Sequence, residues 1–516
     1  MFDFRKEHGN NLPTVRIQKI VMDNFKSVNH GEVTFHCGKH FVPYDTKSDI
    51  LGVYGQNGSG KTSLVEALAI LRYVMRGAVI PDPYIECISK RGNHSRLSFV
   101  FDLQYPDGKI RKVMYSFSIA AIEKSIEEQV NEIESYAHRK QYKQRVVVYD
   151  EVISMSGDFE DTQKPMKPII DTSSTDDVFE PKAKQRVFVN TSEAIEELKF
   201  IKRLTWDKAC SFIFYKDTLQ IFYDSELYSE YFQVLMELRY YADYYLYVVD
   251  TRSFGFIRSG LAIPIYTRQG TLPIDIREPT VIPTEIADDI VNEIDSLNTV
   301  LEQLIPLLSI ELRTLYDTVT KDGESGRLVE LIAKRDDIEM PIRYESDGVK
   351  KIISILSLVI AVFNDRSITV AIDEIDAGIY EYLLGELLKM IQDSGKGQLI
   401  FTSHNLRPLE VLNKEFICFT TTNPDNRYYR MKGVGATNNL RNTYIREIMM
   451  NDQDEELYKK TKSYKTLDAL TKAGIALAGA AAVVGAVAAG ASAIVPGVAG
   501  GVAAKVAADA VKKSKG

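Results

Sequence analysis

Apolar and polar residues alternate in short runs between residues 14 and 53. Thr14-Val15-Arg16-Ile17-Gln18-Lys19-Ile20 predicts one strand, and Gly31-Glu32-Val33-Thr34-Phe35 a second beyond a turn, because side chains on a strand face opposite ways with period two. Ile50-Leu51-Gly52-Val53-Tyr54 is apolar without a break, the pattern of a short buried strand. The period then lengthens: Leu64, Leu68, Leu71 and Val74 recur at helical spacing. Alternation returns over residues 98–105 and 109–119 around Pro106-Asp107-Gly108, which predicts a hairpin bent at Asp-Gly, and a further strand is expected over 145–149.

From about residue 122 to 250 the chain is charged, Tyr-rich and partly helical in pattern, as expected of an inserted accessory or lid region. Its densest aromatic piece, EYFQVLMELRYYADYYLY, fits two readings, a helix core or a platform for stacking bases. The stripe carries no basic run, which a base-stacking groove normally has. Ile286, Ile290, Ile294, Leu297, Leu301, Leu304 and Leu308 keep three- and four-residue spacing and predict one long amphipathic helix, bent at Pro306. Such a helix is either half of a short coiled arm or a helix packed on its own domain. Further on, residues 368–372 and 399–401 read as buried strands, and Ile352, Ile353, Leu356 and Ile360 as another helix.

Composition narrows the class. The 516 residues are 45% hydrophobic, enough for two or three packed domains, and the formal net charge of −8 offers no global field for nucleic acid. Cys37, Cys87, Cys210 and Cys418 stand far apart, which excludes a C-x-x-C metal or redox pair and a disulfide framework. MFDFRKEHGNNLP lacks the apolar core of a secretory signal, so a reducing cytoplasm is expected.

The chemistry begins at the strand-to-helix junction. Gly55-Gln56-Asn57-Gly58-Ser59-Gly60-Lys61-Thr62-Ser63 matches G-x-x-x-x-G-K-[ST]. In that pattern glycines let backbone N–H groups converge on the α- and β-phosphates of a nucleotide, Lys61 reaches the β/γ oxygens, and the Thr62 hydroxyl ligates Mg²⁺. The helix N-terminus adds a positive dipole end. Asp373-Glu374 closes the apolar run Ile368-Thr369-Val370-Ala371-Ile372 at the strand end where open α/β sheets hold ligands. There Asp373 would support Mg²⁺ and Glu374 would polarise an attacking water. His404 ends the strand Leu399-Ile400-Phe401-Thr402-Ser403 and is placed to sense a γ-phosphate. Glu345-Ser346-Asp347-Gly348-Val349-Lys350 leads into a helix. Its Ser/Gly turn is either an anion-binding turn or an ordinary cap.

In this order the motifs resemble the ABC-type ATPases with SMC-like heads. The resemblance rests on residues 20–28, Gly55 to Thr62 as Walker A, Ser346 to Lys350 as signature, Asp373-Glu374 as Walker B, Asp376 as D-loop and His404 as switch, and it covers roughly 15–120 and 340–420. It implies two heads sandwiching two ATP molecules, with Ser346 and Gly348 completing the partner's phosphate site in trans. The usual L-S-G-G-Q is here Glu345-Ser346-Asp347-Gly348-Val349, and Gln104, on the predicted hairpin, is no obvious Q-loop glutamine. Those departures leave room for slow turnover or for ATP binding without rapid hydrolysis. The E-S-D-G-x-K signature and the S-H-N switch are similar to stand-alone ATPases of anti-phage systems, the Septu ATPase subunit and retron-associated relatives. That similarity implies a regulator of a separate HNH nuclease, in the retron case beside a reverse transcriptase and its RNA–DNA product. A DNA-repair or chromosome-maintenance clamp is the rival reading. After His404 no acidic D-x-D cluster lies on an expected strand, as an in-chain TOPRIM nuclease would need.

The expected organisation is an α/β ABC-type P-loop head. Its N-terminal part is residues 1–120, followed by an inserted lid region 121–285, a helical arm 286–340, the C-terminal part of the head 341–450 and an Ala/Gly-rich tail 467–516. Arg427, Arg430 and Arg441 lie in an Arg-, Asn- and Tyr-rich stretch that reads either as a contact for a partner or DNA backbone or as a solvated loop. The uncharged run 473–504 fits an appendage, an oligomerisation helix or a membrane-active tail.

Overall fold

The computed structural model describes residues 12–35, 48–90, 92–124, 142–156, 166–175, 177–225, 230–250, 257–258, 262–267, 270–432, 439–450, 454–459, 465 and 469. The uncharged run 473–504 therefore lies outside the described residues. Among them, no helix is long and apolar enough to cross a membrane. The chain divides into two units, residues 1–458 and 459–516, and the account below concerns the first.

Its strands are β1 Thr14–Phe25, β2 Val28–Thr34, β3 Asp49–Tyr54, β4 His94–Gln104, β5 Ile110–Glu123, β6 Gln144–Met155, β7 Lys167–Asp171, β8 Leu246–Asp250, β9 Ile257–Arg258, β10 Ala262–Thr267, β11 Gly270–Asp275, β12 Thr280–Pro283, β13 Leu308–Val319, β14 Ser325–Arg335, β15 Ile338–Pro341, β16 Thr369–Ile372, β17 Gln398–Thr402, β18 Ile417–Thr420 and β19 Tyr428–Tyr429. The helices are α1 Lys61–Met75, α2 Lys182–Phe188, α3 Ser192–Asp207, α4 Lys216–Asp224, α5 Glu230–Tyr244, α6 Ala287–Leu304, α7 Asp347–Asn364, α8 Glu381–Ser394, α9 Pro408–Val411 and α10 Leu440–Met450.

A central sheet runs β19-β18-β3-β17-β16-β8-β9, parallel except for the β18–β19 pair. Its strands β3, β8, β16, β17 and β18 are buried along their whole length, as a sheet covered on both faces requires. The faces separate by period two. Leu51, Val53, Val248, Ala371 and Ile400 join one apolar cluster with α1 and the antiparallel sheet β2-β1-β4-β5-β6-β7. Ile50, Tyr54, Val249, Val370, Ile372 and Phe401 join another with α6, α7, α8 and the hairpin β13–β14. The α/β class expected from the periodicity is the observed one.

The expected hairpin is present as β4 and β5, closed at Gly108 with φ +84°. Within 121–285, β6 and β7 extend the antiparallel sheet and Phe188, Leu198, Phe222 and Leu238 from α2 to α5 enter its apolar cluster, whereas Ile263, Ile265 and Ile274 join the opposite one. The aromatic stripe is core, since α5 buries Phe232, Leu235, Leu238 and Tyr241. Its next strand, β8, lies in the central sheet beside β16.

One element departs from its expectation. The apolar spacing from 286 to 310 predicts a single helix, but α6 stops at Leu304 and Leu308 already begins β13. The cause is Pro306. It disfavours the helical region for the preceding residue, and Ile305 is extended at φ −132°, ψ 94°. Ile290, Ile294, Leu297 and Leu301 are buried against the same unit, so α6 packs on its own domain rather than forming a coiled arm. The Asn298 amide also accepts the Ile310 N–H and donates to its carbonyl, each at 2.8 Å, closing part of the β13 edge. Leu301→Ala should therefore cost about 2–5 kcal/mol in chemical denaturation, while Val291→Ala, at a position 45% exposed, should cost little.

Candidate nucleotide-binding site

The phosphate loop joins β3 to α1. Gly55, Gly58 and Gly60 have φ of +155°, +76° and +95°, a region that side chains disfavour. A Cβ on Gly55 would also fall 1.8 Å from Thr420 Oγ1. Lys61 Nζ donates to the carbonyls of Gly55 at 2.8 Å and Gln56 at 3.1 Å, so the ammonium folds back over the loop. Burial pushes its pKa down, while Asp373, Glu374 and Asp376 act to raise it. Ser59 Oγ donates to Gln56 O at 2.6 Å.

Strand order brings the other motifs to this loop. β17 lies between β3 and β16, and its last residue, Thr402, reaches the acidic pair. Thr402 Oγ1 donates to Asp373 Oδ1 at 2.6 Å and accepts the Glu374 N–H at 2.7 Å. Thr62 Oγ1 donates to the same Asp373 oxygen at 3.3 Å. Glu374 has φ +49°, a left-handed conformation uncommon for a residue with a side chain and found more often at functional sites. Asp376 Oδ2 accepts the N–H groups of His404 at 3.1 Å and Asn405 at 3.0 Å, fixing the switch strand end to the turn after Glu374.

These residues enclose a cleft of about 560 Å³, lined among others by Lys26, Asn57, Lys61, Thr62, Glu374 and His404. Gly58, Gly60, Ser63, Asp376 and Thr402 also line it. Asp373 is buried beneath it. Gly55 and Gln56, with Asn57 and His404, border a second cavity against Tyr444 and Tyr458. Ser346 and Gly348 are not in the cleft. Ser346 is exposed and caps α7, accepting the Val349 N–H at 3.3 Å. Gly348 lies against the turn after Glu374, where a Cβ would come within 2.3 Å of Gly378 O.

Two features escape a motif search, and a third, Lys26, lies in the 20–28 stretch without a role assigned to it there. Thr420, at the end of β18, donates its hydroxyl to Tyr54 O at 3.2 Å and places that oxygen against Ser59 Oγ. Tyr428 OH donates to Gly60 O at 2.7 Å. Lys26 holds the α1 carboxylate of Glu66 with two 2.9 Å contacts and faces the cleft. Thr402 itself stands in the Thr402-Ser403-His404-Asn405 motif, and its position ahead of the switch histidine is the available signal.

The arginines that read either as external contacts or as a solvated loop have partners within the chain. Arg427 is buried and donates to Thr421 O and Ser27 O, at 2.7 and 2.5 Å. Arg430 spans Ile417 O and Thr34 O, and Arg441 pairs with Glu410 at 2.6 Å. Their spacing predicted neither role, because these partners are backbone carbonyls or distant in sequence. Gln104 pairs with Thr14 and Ile110 in the antiparallel sheet and does not line the cleft. Cys210 and Cys418 are buried thiols pushed up to about 12 and about 11 by burial, which leaves them inert at neutral pH.

The family described as AAA ATPase domain matches residues 16–407. No curated protein matches the chain. Among solved structures, an SMC head bound to the C-winged helix domain of ScpA aligns at 14% identity over 81% of this chain and 98% of that one, with TM-score 0.38. An Smc head with an extended coiled coil, bound to the C-terminal domain of ScpA from Pyrococcus furiosus, aligns at 13% identity, 85% and 100% coverage and TM-score 0.36. The recombination mediator protein RecF with ATP aligns at 12% identity, 76% and 94% coverage and TM-score 0.31. Thr420→Val should loosen the phosphate loop and weaken ATP binding about fivefold, the worth of about one hydrogen bond, as read by titration calorimetry.

Proposed function

Because the chain belongs to the AAA ATPase domain family, with the match over residues 16–407, we propose that it binds Mg-ATP at the phosphate loop and hydrolyses it within a head dimer. The observation that carries this reading is the meeting of Lys61, Thr62, Glu374 and His404 on one cleft, with Ser346 exposed outside it. The oxygen donors present suit Mg²⁺, since the Thr62 hydroxyl and the Asp373 carboxylate stand 3.3 Å apart and both are hard ligands. Among the described residues there is no group of three or more side chains able to hold a metal alone. That fits an ion which takes its other oxygens from phosphate and water. When bound, the ion neutralises charge on the β- and γ-phosphate oxygens.

The chain's own groups then divide the work. Loop N–H groups and Lys61 hold the β- and γ-phosphates, and Glu374 accepts a proton from the water that attacks the γ-phosphorus as ADP leaves. His404 contacts the γ-phosphate from the switch strand. Ser346 and Gly348, on the exposed first turn of α7, complete the phosphate site of a second head. Dimer closure is thereby tied to ATP and opening to its hydrolysis.

The wider role we attach to this cycle is regulation of a separate effector nuclease of HNH type in phage defence. Its support is the E-S-D-G-x-K form of the signature and the S-H-N form of the switch. Purifying the protein from its native host during phage challenge tests that role. Recovery of a nuclease partner, with or without a reverse transcriptase and an RNA–DNA hybrid, supports it; recovery with DNA ends alone places the protein among repair clamps.

Two substitutions test the site. Lys61→Ala should abolish ATP binding in calorimetry. Glu374→Gln should lower kcat by about 10²–10⁴, the usual worth of a general base, while light scattering shows a dimer that persists with ATP.

A further inference from the structure

α7 carries a second lysine that the proposed cycle leaves without a task. Lys351 lies one turn into the helix from Ser346, is only 8% exposed, and donates a short hydrogen bond from Nζ to Glu374 O. A buried ammonium is costly unless paired. Burial lowers its pKa, and Asp376, Glu374 and Asp373, in that order, act to raise it. The lysine thus sits over the acidic strand end without meeting phosphate, since it does not line the cleft.

Its acceptor is the backbone of the one acidic-pair residue with a left-handed conformation. Glu374 is held there from three sides: its N–H by Thr402 Oγ1 at 2.7 Å, its carbonyl by the Ala377 N–H at 3.0 Å, and the same carbonyl by Lys351. A conformation of that kind persists only where neighbours over-determine it. Two of the three restraints are local to the strand ends. The third comes from α7, whose first turn also touches the same loop through Gly348 and Gly378.

We propose that Lys351 is a positioning residue that links the exposed Ser346 turn to Glu374, so that engagement of one head's phosphate by the turn aligns the base in the other site. This rests on the dimer reading above. The helix turn would be fixed on its outer side by the partner's γ-phosphate and on its inner side by Lys351. Each ATP then sets the geometry of the base acting on the other ATP, and hydrolysis in the pair becomes cooperative.

The experiment is steady-state ATPase kinetics on the full chain as wild type, Lys351→Met and Lys351→Arg, with light scattering in ATP. Lys351→Met should still form the ATP-dependent dimer and keep KM within about twofold. Its kcat should fall at least about tenfold, equivalent to about 1.4 kcal/mol, and its Hill coefficient should approach one. Lys351→Arg should recover part of kcat. A Lys351→Met dimer with wild-type kcat and Hill coefficient overturns the proposal while leaving the dimer reading intact. A wild-type protein that stays monomeric in ATP overturns the dimer reading instead. Should Lys351→Met fail to fold, Lys351→Leu takes the same readings, and amide exchange on proteins that keep Lys351 supplies an independent one. A non-hydrolysable ATP analogue should slow exchange over residues 373–378 in wild type and not in Ser346→Arg. Equal protection in both contradicts the link.

Discussion

The Thr402 hydroxyl is the joint of the site. It makes two hydrogen bonds at once, to Asp373 Oδ1 and from the Glu374 N–H, while the Thr402 carbonyl accepts the Ile375 N–H at 3.0 Å. On the other side of the same strand end, Ser403 N donates to Val53 O at 3.3 Å. This is possible only because β17 lies between the strand that launches the phosphate loop and the strand that ends in the acidic pair. Parallel strands bring their C-terminal ends to one edge, and there the loops meet. The rest of the site follows from that order: Thr62 reaches Asp373, and Asp376 reaches back to the N–H groups of His404 and Asn405.

Charge is arranged around this joint with the same economy. Lys61 and Lys351 are both mostly buried, and both lie within the influence of Asp373, Glu374 and Asp376. Around the strand end these two cations stand near three carboxylates, an excess of negative charge that a divalent cation arriving with the nucleotide would offset. Lys61 hydrogen-bonds loop carbonyls, and Lys351 the backbone of Glu374. One cation is therefore placed to meet substrate and the other to hold structure.

Much of the architecture was legible in the sequence because burial on one or two faces leaves a period. The strands around residues 15–35, 50–54 and 98–119, the helix after the phosphate loop and the acidic strand all stand where alternation or unbroken apolar runs placed them. The helix predicted through residue 310 did not: Leu308 continues the four-residue spacing from Leu304 but begins a strand whose inward residues, Leu308 and Ile310, are two apart, and Pro306 decided the boundary. At the site, the phosphate loop, Asp373, Glu374 and His404 were readable as local motifs. Thr420, Tyr428 and Lys351 were not, since each acts on a backbone or side chain more than twenty positions away, and only the sheet order brings them there. Arg427 fitted either an external contact or a solvated loop because its carbonyl partners leave no trace in composition.

The central claim is that one head's phosphate site is finished by the Ser346 turn of another. Mixing two inactive proteins tests it most directly: Lys61→Ala, with a dead loop and a sound signature turn, and Ser346→Arg, with the reverse. A mixed dimer pairs the sound loop of one with the sound turn of the other, so ATPase activity should reappear on mixing, at about a tenth of the wild-type rate or less because the head that holds ATP carries the dead turn on its own α7, and neither protein alone should show it. No recovery in mixtures whose hybrid dimers are verified by mass would contradict the account.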